Sequence, residues 1–235
     1  MNKRKDMQPP IEIESDWERY KGLRSSGLKK QANKALLTVI QTMEKKGLEY
    51  FKVFLYSLCE EGLGGHYESK VQHPMFVRCL LPLLVSGVKS KSAKEIIYVV
   101  KARSSGFGKE LYESIGDISD RDLLKIVLST EPNNQTALNL LAADYIEELY
   151  FGAHHLPEVL ITDLSVAKSV SEELAKLILS NKSLINESLV TKYSYYARLY
   201  EDYEIWLNGQ HTYDFAKWCE RNKRTYSWVA SYKYN

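Results

Sequence analysis

Two cysteines and two histidines in the first third of the chain are the residues best suited to metal chemistry. They are Cys59, His66, His73 and Cys79, and their side-chain types are those that bind zinc. Six, six and five residues lie between neighbours, whereas zinc modules usually present closely spaced ligand pairs. This spacing favours buried thiols and loop histidines, so we predict no metal site and no cofactor.

A histidine pair, His154-His155, precedes Leu156-Pro157 and has the right chemistry for proton transfer near neutral pH. Catalysis would need a nucleophile positioned beside it, and no serine or cysteine stands in such a sequence context. We therefore interpret the pair as part of a helix-ending turn, where the rings donate hydrogen bonds to unpaired carbonyl groups.

Two further patterns lack parts that their chemistry requires. Gly106-Phe107-Gly108-Lys109 is similar to part of a phosphate-binding loop, but the earlier glycine is missing and Glu110 replaces the magnesium-binding hydroxyl. Adjacent carboxylates such as Glu147-Glu148 point to different sides of a helix and favour a solvated face over acid-base catalysis. The sequence therefore predicts that the protein is not an enzyme and has no catalytic residues.

Aromatic residues are concentrated at the C-terminal end, where 13 of the 27 lie between Tyr193 and Tyr234. A three-four spacing predicts that some form a buried seam: Leu189, Tyr193, Tyr196, Tyr200, Tyr203 and Leu207. Tyrosine and tryptophan are also enriched at interface hot spots, so we predict a partner-binding surface near this end. Its predicted residues are Tyr195, Tyr200, Glu201, Asp202, Tyr203, Glu204, Trp206 and Trp228.

Basic residues are interleaved with these aromatics: Lys217, Arg221, Lys223, Arg224 and Lys233. Aromatic and cationic side chains together can stack bases and hold phosphates, so binding of single-stranded nucleic acid is an alternative. Acidic residues such as Glu201 and Glu220 lie nearby, and the net charge is only +2. The sequence therefore favours a protein partner over nucleic acid.

The composition is that of an ordinary globular protein, with 235 residues, 44% of them hydrophobic and 26% charged. The nearly balanced charge gives no overall field that would select nucleic acid or a membrane surface. Three cysteines cannot all pair with one another, which favours a reducing compartment. The longest apolar stretch, Met75 to Val85, is interrupted by Arg78 and Pro82 and is too short to cross a bilayer. No apolar core follows the basic N-terminus, so we predict a cytoplasmic protein without a membrane segment.

Helical periodicity predicts an all-α fold. The clearest helix has apolar residues at steps of three and four and stops at Gly47: Leu28, Ala32, Ala35, Leu36, Val39, Ile40 and Met43. Further helices are predicted at 48–59, 75–85, 92–102, 120–128, 135–150, 166–179, 188–207 and 211–222. Residues 96–100 are β-branched enough for a strand, but the lack of a partner strand favours a buried helix. The glycine-rich residues 60–65 predict a loop, and we expect a flexible tail at 1–10 before a single domain at 11–235.

The stretch from 132 to 145 resembles the junction between the two helices of a tetratricopeptide-type repeat. Proline ends one helix, asparagines suit the turn, and apolar residues then share one helical face: Pro132, Asn133, Asn134, Ala137, Leu138, Leu141 and Tyr145. Leu124 and Val127 fit the preceding helix, whereas His154, Glu158 and Val166 do not continue the pattern into a second repeat. The resemblance implies antiparallel helix pairs stacked in an irregular or repeat-like bundle of the tetratricopeptide or HEAT kind.

These features together predict a non-enzymatic protein-binding module. A small helical domain with an acidic and aromatic surface is similar to the bacterial immunity proteins, which neutralise a cognate toxin by direct binding. That analogy implies a toxin domain as the partner. The alternatives are a helical-repeat adaptor that binds a peptide or protein and a helical protein that binds nucleic acid.

Overall fold

The computed structural model describes residues 8–62 and 71–227. Within those two ranges the regular elements are helices and there is no strand, so the predicted all-α fold is confirmed. The chain divides after Val127 into two compact units. The single domain at 11–235 stays a prediction, and most of the expected tail at 1–10 lies outside the described ranges.

The described part of the first unit contains seven helices that lie wholly within it, from 3 to 18 residues long. They are α1 (Glu14–Ser25), α2 (Lys29–Lys46), α3 (Lys52–Gly62), α4 (His73–Met75), α5 (Leu81–Lys89), α6 (Ala93–Ala102) and α7 (Gly108–Ile115). A 3₁₀ turn at Leu48–Phe51 leads into α3, and π-helical turns at Phe76–Leu80 and Arg103–Phe107 follow α4 and α6. The next helix, α8 (Asp120–Thr130), runs across the division between the units.

Three helix pairs organise the first unit: α1 with α2, α5 with α6, and α5 with α7. The apolar face predicted for α2 is buried from Ala32 to Met43. Leu28 is the exception, because it precedes the helix as its N-cap and its side chain is 45% exposed. The two π-helical turns meet through the stacked rings of Phe76 and Phe107, whose centroids lie 3.9 Å apart.

Two sequence expectations in this unit are decided by the backbone. Residues 96–100 are fully buried within α6, as predicted, because a helix satisfies its backbone hydrogen bonds without a partner strand. The prediction of a loop at 60–65 is wrong for residues 60–62, because α3 continues to Gly62. A glycine costs a helix only about 1 kcal/mol relative to alanine, and the buried side chains of Leu55, Leu58 and Cys59 in α3 outweigh that cost. Residues 63–65 lie outside the described ranges.

The second unit contains α9 (Gln135–Ala153), α10 (Leu164–Ser180), α11 (Glu187–Asn208) and the short α12 (Phe215–Arg221). Helices α9 and α11 run in the same direction. Near their starts, Asn139 donates from its side-chain amide to the carbonyl of Leu184, at 2.9 Å. Near their other ends, the hydroxyl of Tyr200 donates to the carbonyl of Leu149, at 2.8 Å.

Helix α10 runs in the opposite direction and contacts both α9 and α11. Lys168 near its start forms an ion pair with Glu204 near the end of α11, with 2.5 Å between Nζ and Oε1. Its middle is joined to α9 by Tyr145, which donates to the carboxylate of Glu173, at 2.5 Å. The unit is therefore an antiparallel stack of three helices, which agrees with the predicted stacking of antiparallel helices.

The tetratricopeptide-like stretch forms the turn and helix start that its residues predict. Asn134 is the N-cap of α9, and its side-chain oxygen accepts a hydrogen bond from the backbone N–H of Ala137, at 3.0 Å. The apolar residues that follow, Ala137, Leu138, Leu141, Ala142 and Tyr145, are all buried. This helix continues to Ala153, three residues beyond its predicted end.

The aromatic seam predicted along α11 is only partly right. Tyr200 is buried, but Leu207 is 53% exposed, and Leu189, Tyr193, Tyr196 and Tyr203 are half-buried. The buried positions of α11 are Leu199, Tyr200 and Asp202. The buried face of α11 includes Asp202 because the last residues of the described chain pack against that side of the helix.

Candidate functional site

The C-terminal aromatics surround Phe215, whose side chain is fully buried at the start of α12. Its ring lies edge-on to Tyr203 at 5.1 Å, is tilted to Trp206 at 5.7 Å and is stacked on Trp218 at 5.9 Å. The indole N–H of Trp206 also donates to the carbonyl of Tyr213, at 3.0 Å. Tyr203 and Trp206, both predicted to bind a partner, therefore hold α12 against α11.

Asp202 was also predicted to bind a partner, but its side chain is only 2% exposed. Its carboxylate accepts a hydrogen bond from the hydroxyl of Tyr226 and lies 3.1 Å from Nε of Arg224 and 4.0 Å from Nε of Arg198. Burial, together with the hydrogen bond to Asp202, raises the pKa of Tyr226. Asp202 is therefore an internal anchor for the end of the described chain.

The remaining predicted residues have different surroundings. Tyr200 is buried and bonded to α9, and Glu204 is paired with Lys168. Glu201 is exposed. Tyr195 is half-buried, and its hydroxyl accepts from the backbone N–H of Ser227, at 3.0 Å. Trp228 lies outside the described ranges.

A group of aromatic rings that the sequence did not bring together lies where α9 ends beside α11. Its members, here called the aromatic patch, are Tyr150, Phe151, His154, Tyr195 and Tyr196. Tyr150 is 53% and Phe151 61% exposed. The ring of Tyr150 lies 5.8 Å from that of His154 and 6.5 Å from that of Tyr196. A small pocket of about 60 Å³ is lined by all of these residues except Phe151, and also by Ala153, Leu199 and Ser227.

His154 has the helix-ending role that the sequence predicted. It is the C-cap residue of α9, and its Nδ1 lies 2.5 Å from the carbonyl oxygen of Phe151. Its ring packs against Phe151 at 5.1 Å and edge-on to His155 at 4.3 Å. His154 therefore terminates the helix and at the same time contributes a ring to the aromatic patch.

The larger cavity is in the first unit, a cleft of about 350 Å³ between α3 and the start of α6. It is lined by Lys52, Val53, Tyr56, Ser57, Glu60, Ser92, Lys94 and Glu95. Tyr56 of α3 donates to Glu95 of α6 at 2.7 Å, and Tyr98 of α6 donates to Glu60 of α3 at 2.8 Å. These crossed pairs join the two helices through side chains.

Tyr56 in the cleft and Tyr98 behind it each also lie beneath a lysine. The Lys52 and Lys94 ammonium groups are 5.6 and 5.4 Å from the ring centroid of Tyr56, and Lys94 is 5.7 Å from that of Tyr98. Lys52 lies 3.5 Å from Glu95, and Lys94 lies 3.5 Å from Glu60. Local spacing in the sequence does not predict this cleft, because its residues come from two helices about 40 positions apart.

Glu95 is the buried carboxylate of the cleft, with only 5% of the residue exposed. Its burial acts to raise its pKa, but hydrogen bonds from Ser92 and Tyr56 outweigh that effect, and the pKa lies below its ordinary value of 4.5. Burial, together with the hydrogen bond to Glu95, raises the pKa of Tyr56. At neutral pH the cleft therefore contains ionised Glu95 beside neutral Tyr56.

Glu95→Gln should lower the free energy of unfolding at neutral pH by about 2 kcal/mol, because a buried charged acceptor is lost. Since the folded-state pKa is depressed, the stabilisation by Glu95 is complete above pH 4.5 and disappears as pH falls through the folded pKa. The difference between the two proteins should therefore shrink on acidification, as measured by urea unfolding. Glu113→Gln, an exposed change in the same unit, should leave the pH profile unaltered, and a pH-independent difference for Glu95→Gln would contradict the prediction.

The residues considered for zinc or phosphate chemistry have other surroundings. Cys59 and Cys79 are buried, and burial raises the pKa of each thiol to about 12. His73 Nε2 lies 2.7 Å from Glu110 Oε1, and His66 lies outside the described ranges. In the parts of the chain that the structure describes, no three histidine, cysteine or carboxylate side chains are grouped as metal ligands. Residues 106–109 form the junction between a π-helical turn and α7.

Across residues 8–62 and 71–227, each helix is too short or too polar to cross a membrane. Comparison of the chain with protein-family models, with curated proteins and with solved structures finds no match. The aromatic patch and the cleft are therefore the features that indicate a function.

Proposed function

We propose that this protein is a non-enzymatic binding module that recognises another protein through the aromatic patch. The observation that carries the proposal is the exposure of two large rings, Tyr150 at 53%, which lines a small pocket, and its neighbour Phe151 at 61%. Clustered aromatic side chains that combine apolar area with polar atoms are typical of interface hot spots. The patch is therefore the surface on which we place the partner.

Tyr195 was predicted from the sequence to bind a partner, and it belongs to the aromatic patch. Its hydroxyl holds the backbone of Ser227, and its ring lies edge-on to Tyr196 at 5.1 Å. Fixed rings lose little conformational entropy when a partner covers them, and this favours their use in binding. Glu201 is exposed, but with about 3.6 residues per turn it faces the other side of α11 from Tyr195 and Tyr196 and lies outside the patch.

We favour a toxin domain as the partner, neutralised by direct binding in the cytoplasm, as in bacterial immunity proteins. An antiparallel helical stack with an exposed aromatic patch and a tetratricopeptide-like stretch at 132–145 supports an inhibitor of this kind. A helical adaptor that binds a peptide or protein is the alternative. Identifying the protein that binds this chain would distinguish an inhibitor of a toxin from an adaptor.

Nucleic-acid binding has less support. Among the predicted basic residues, Arg224 is paired with Asp202, and the guanidinium of Arg221 lies 4.2 Å from the ring centroid of Tyr213. Lys217 is exposed. Two of the cations are thus already engaged within the protein, which weakens the case for a phosphate-binding surface.

Affinity capture from a lysate of the native host tests the proposal. The wild-type chain should retain one protein in stoichiometric amount, identified by mass spectrometry. The double variant Tyr150→Ser plus Phe151→Ser should retain at least about tenfold less, because truncating a hot-spot ring costs more than 1 kcal/mol. Both side chains are exposed, so the fold should survive, as circular dichroism would show.

The matched control is Val166→Ser plus Leu179→Ser on α10, where the side chains are 45% and 78% exposed. This control should retain the partner fully. Equal retention by the patch variant would contradict the assignment of the surface. Retention of nucleic acid alone, released by added salt, would contradict a protein-binding function.

A further inference from the structure

The cleft between α3 and α6 has features that a purely structural contact does not require. Its volume of about 350 Å³ lies at the lower end of the range for small-molecule sites, roughly 300–1,000 Å³. Charged groups of both signs line it, together with an aromatic ring and an apolar side chain. A ligand that matches this lining would be small and would carry both charges.

The positive side of the lining comes from Lys52 and Lys94. Both ammonium groups approach the ring of Tyr56, yet their contacts with carboxylates are long, at 3.3 Å for Lys52 with Glu49 and 3.5 Å for Lys94 with Glu60. Charge-assisted hydrogen bonds are normally about 2.7–2.9 Å long. The ammonium N–H groups therefore have capacity to donate to an additional anionic group.

The negative side comes from Glu60 and Glu95. Glu95 is buried and already accepts from Tyr56 and Ser92, so it holds the base of the cleft in place. The side chain of Glu60 is 52% exposed. A carboxylate offers about four acceptor positions, so Glu60 can accept from a ligand ammonium in addition to its contacts within the protein.

The balance of charge and the apolar wall select among ligands. Two lysines face two glutamates, so a simple anion would gain little net attraction, whereas a zwitterion can satisfy both signs. Val53 is 70% exposed at this cleft and offers apolar area to a side chain, whereas Tyr56 is only 5% exposed beneath the two lysines.

We propose that the cleft binds an α-amino acid with an apolar side chain, its carboxylate held by Lys52 and Lys94 and its ammonium by Glu60. The side chain would cover Val53, which is the exposed apolar residue of the lining. This site is in the first unit and is independent of the proposed protein-binding surface, so either proposal can fail without the other.

Calorimetric titration of the full chain with leucine, valine and phenylalanine tests the proposal. At least one should bind with a dissociation constant of about 1 mM or lower. For leucine, two matched analogues each lack one charge: 4-methylpentanoate has no ammonium and 3-methylbutylamine has no carboxylate. Each should bind at least about tenfold more weakly than leucine, because one charged hydrogen-bonding group is missing. If another of the three amino acids binds best, its own two analogues replace these.

Substitutions in the cleft test which side chain binds the ammonium of the ligand and which binds its carboxylate. Glu60→Gln should weaken amino-acid binding about tenfold and leave the carboxylate analogue unchanged, whereas Lys94→Met should weaken both. Lys109→Met, where the side chain is 83% exposed on α7, is the control and should bind like wild type. Binding of none of the three amino acids, or equal binding of an amino acid and its single-charge analogues, would overturn the proposal even if a variant failed to fold.

Discussion

Gly87→Ala is expected to lower the free energy of unfolding by about 3 kcal/mol, because α5 and α6 touch at this position. A Cβ atom at Gly87 would lie 2.2 Å from Cβ and 2.4 Å from Cγ of Glu95. To relieve the overlap, either the helices must separate or the Glu95 side chain must move. Movement of Glu95 would also break its hydrogen bonds to Tyr56 and Ser92. Urea unfolding monitored by circular dichroism measures the loss.

Gly22→Ala provides the matched control for this experiment. Gly22 lies in α1, and a Cβ atom there would meet nothing within 4 Å. Alanine has the higher helix propensity, so this change should raise stability by about 0.5–1 kcal/mol. The two substitutions are chemically identical but should have opposite signs. A small or stabilising effect at Gly87 would mean that α5 and α6 are not in direct contact.

Asp202→Ala is expected to cost about 2 kcal/mol of stability, because it removes the buried carboxylate that holds the chain end. Tyr226 would lose its acceptor, and Arg224 its ion-pair partner. The loss is limited because the side chains of Arg224 and Arg198 are 39% and 53% exposed and can be hydrated. Thermal and urea unfolding would both report the change.

Glu201→Ala separates the anchoring role from a general effect of charge. Glu201 is the exposed neighbour of Asp202 on α11, so its removal should change stability by less than about 0.5 kcal/mol. If Asp202→Ala were as harmless as Glu201→Ala, the anchor would be refuted. Tyr226→Phe should reproduce part of the Asp202→Ala loss, about 1 kcal/mol, since it removes one hydrogen bond and keeps the ring.

The sequence predicted the features of the fold that local spacing determines. The three-four pattern from Ala32 to Met43 identified the buried face of α2, and Asn134 marked the N-cap of α9. Both signals lie within one helix or turn, where the backbone relates neighbouring residues by a fixed rotation. Apolar spacing did not predict α1, because Trp17 and Tyr20 are the only buried residues of that helix.

The candidate sites depend on contacts that local spacing does not encode. Tyr56 meets Glu95 across 39 positions, and Tyr226 meets Asp202 across 24. An aspartate between Glu201 and Tyr203 resembles an exposed acidic residue until its partners are known. The sequence therefore identified the aromatic end of the chain, but it could not distinguish residues that pack Phe215 from residues that face the surface.

The side chain of Asn139 has a consequence for the chemical lifetime of the second unit. Its amide nitrogen donates to the carbonyls of Gln135 and Leu184, and its oxygen accepts from the backbone N–H of Asn186. Hydrolysis of this amide would keep the acceptor but replace both donors with an oxygen facing two carbonyl oxygens. Deamidation, however, begins with attack by the backbone nitrogen of Leu140, which the helical backbone of α9 holds away from the amide carbon, so this joint between α9 and α11 is protected from that form of ageing.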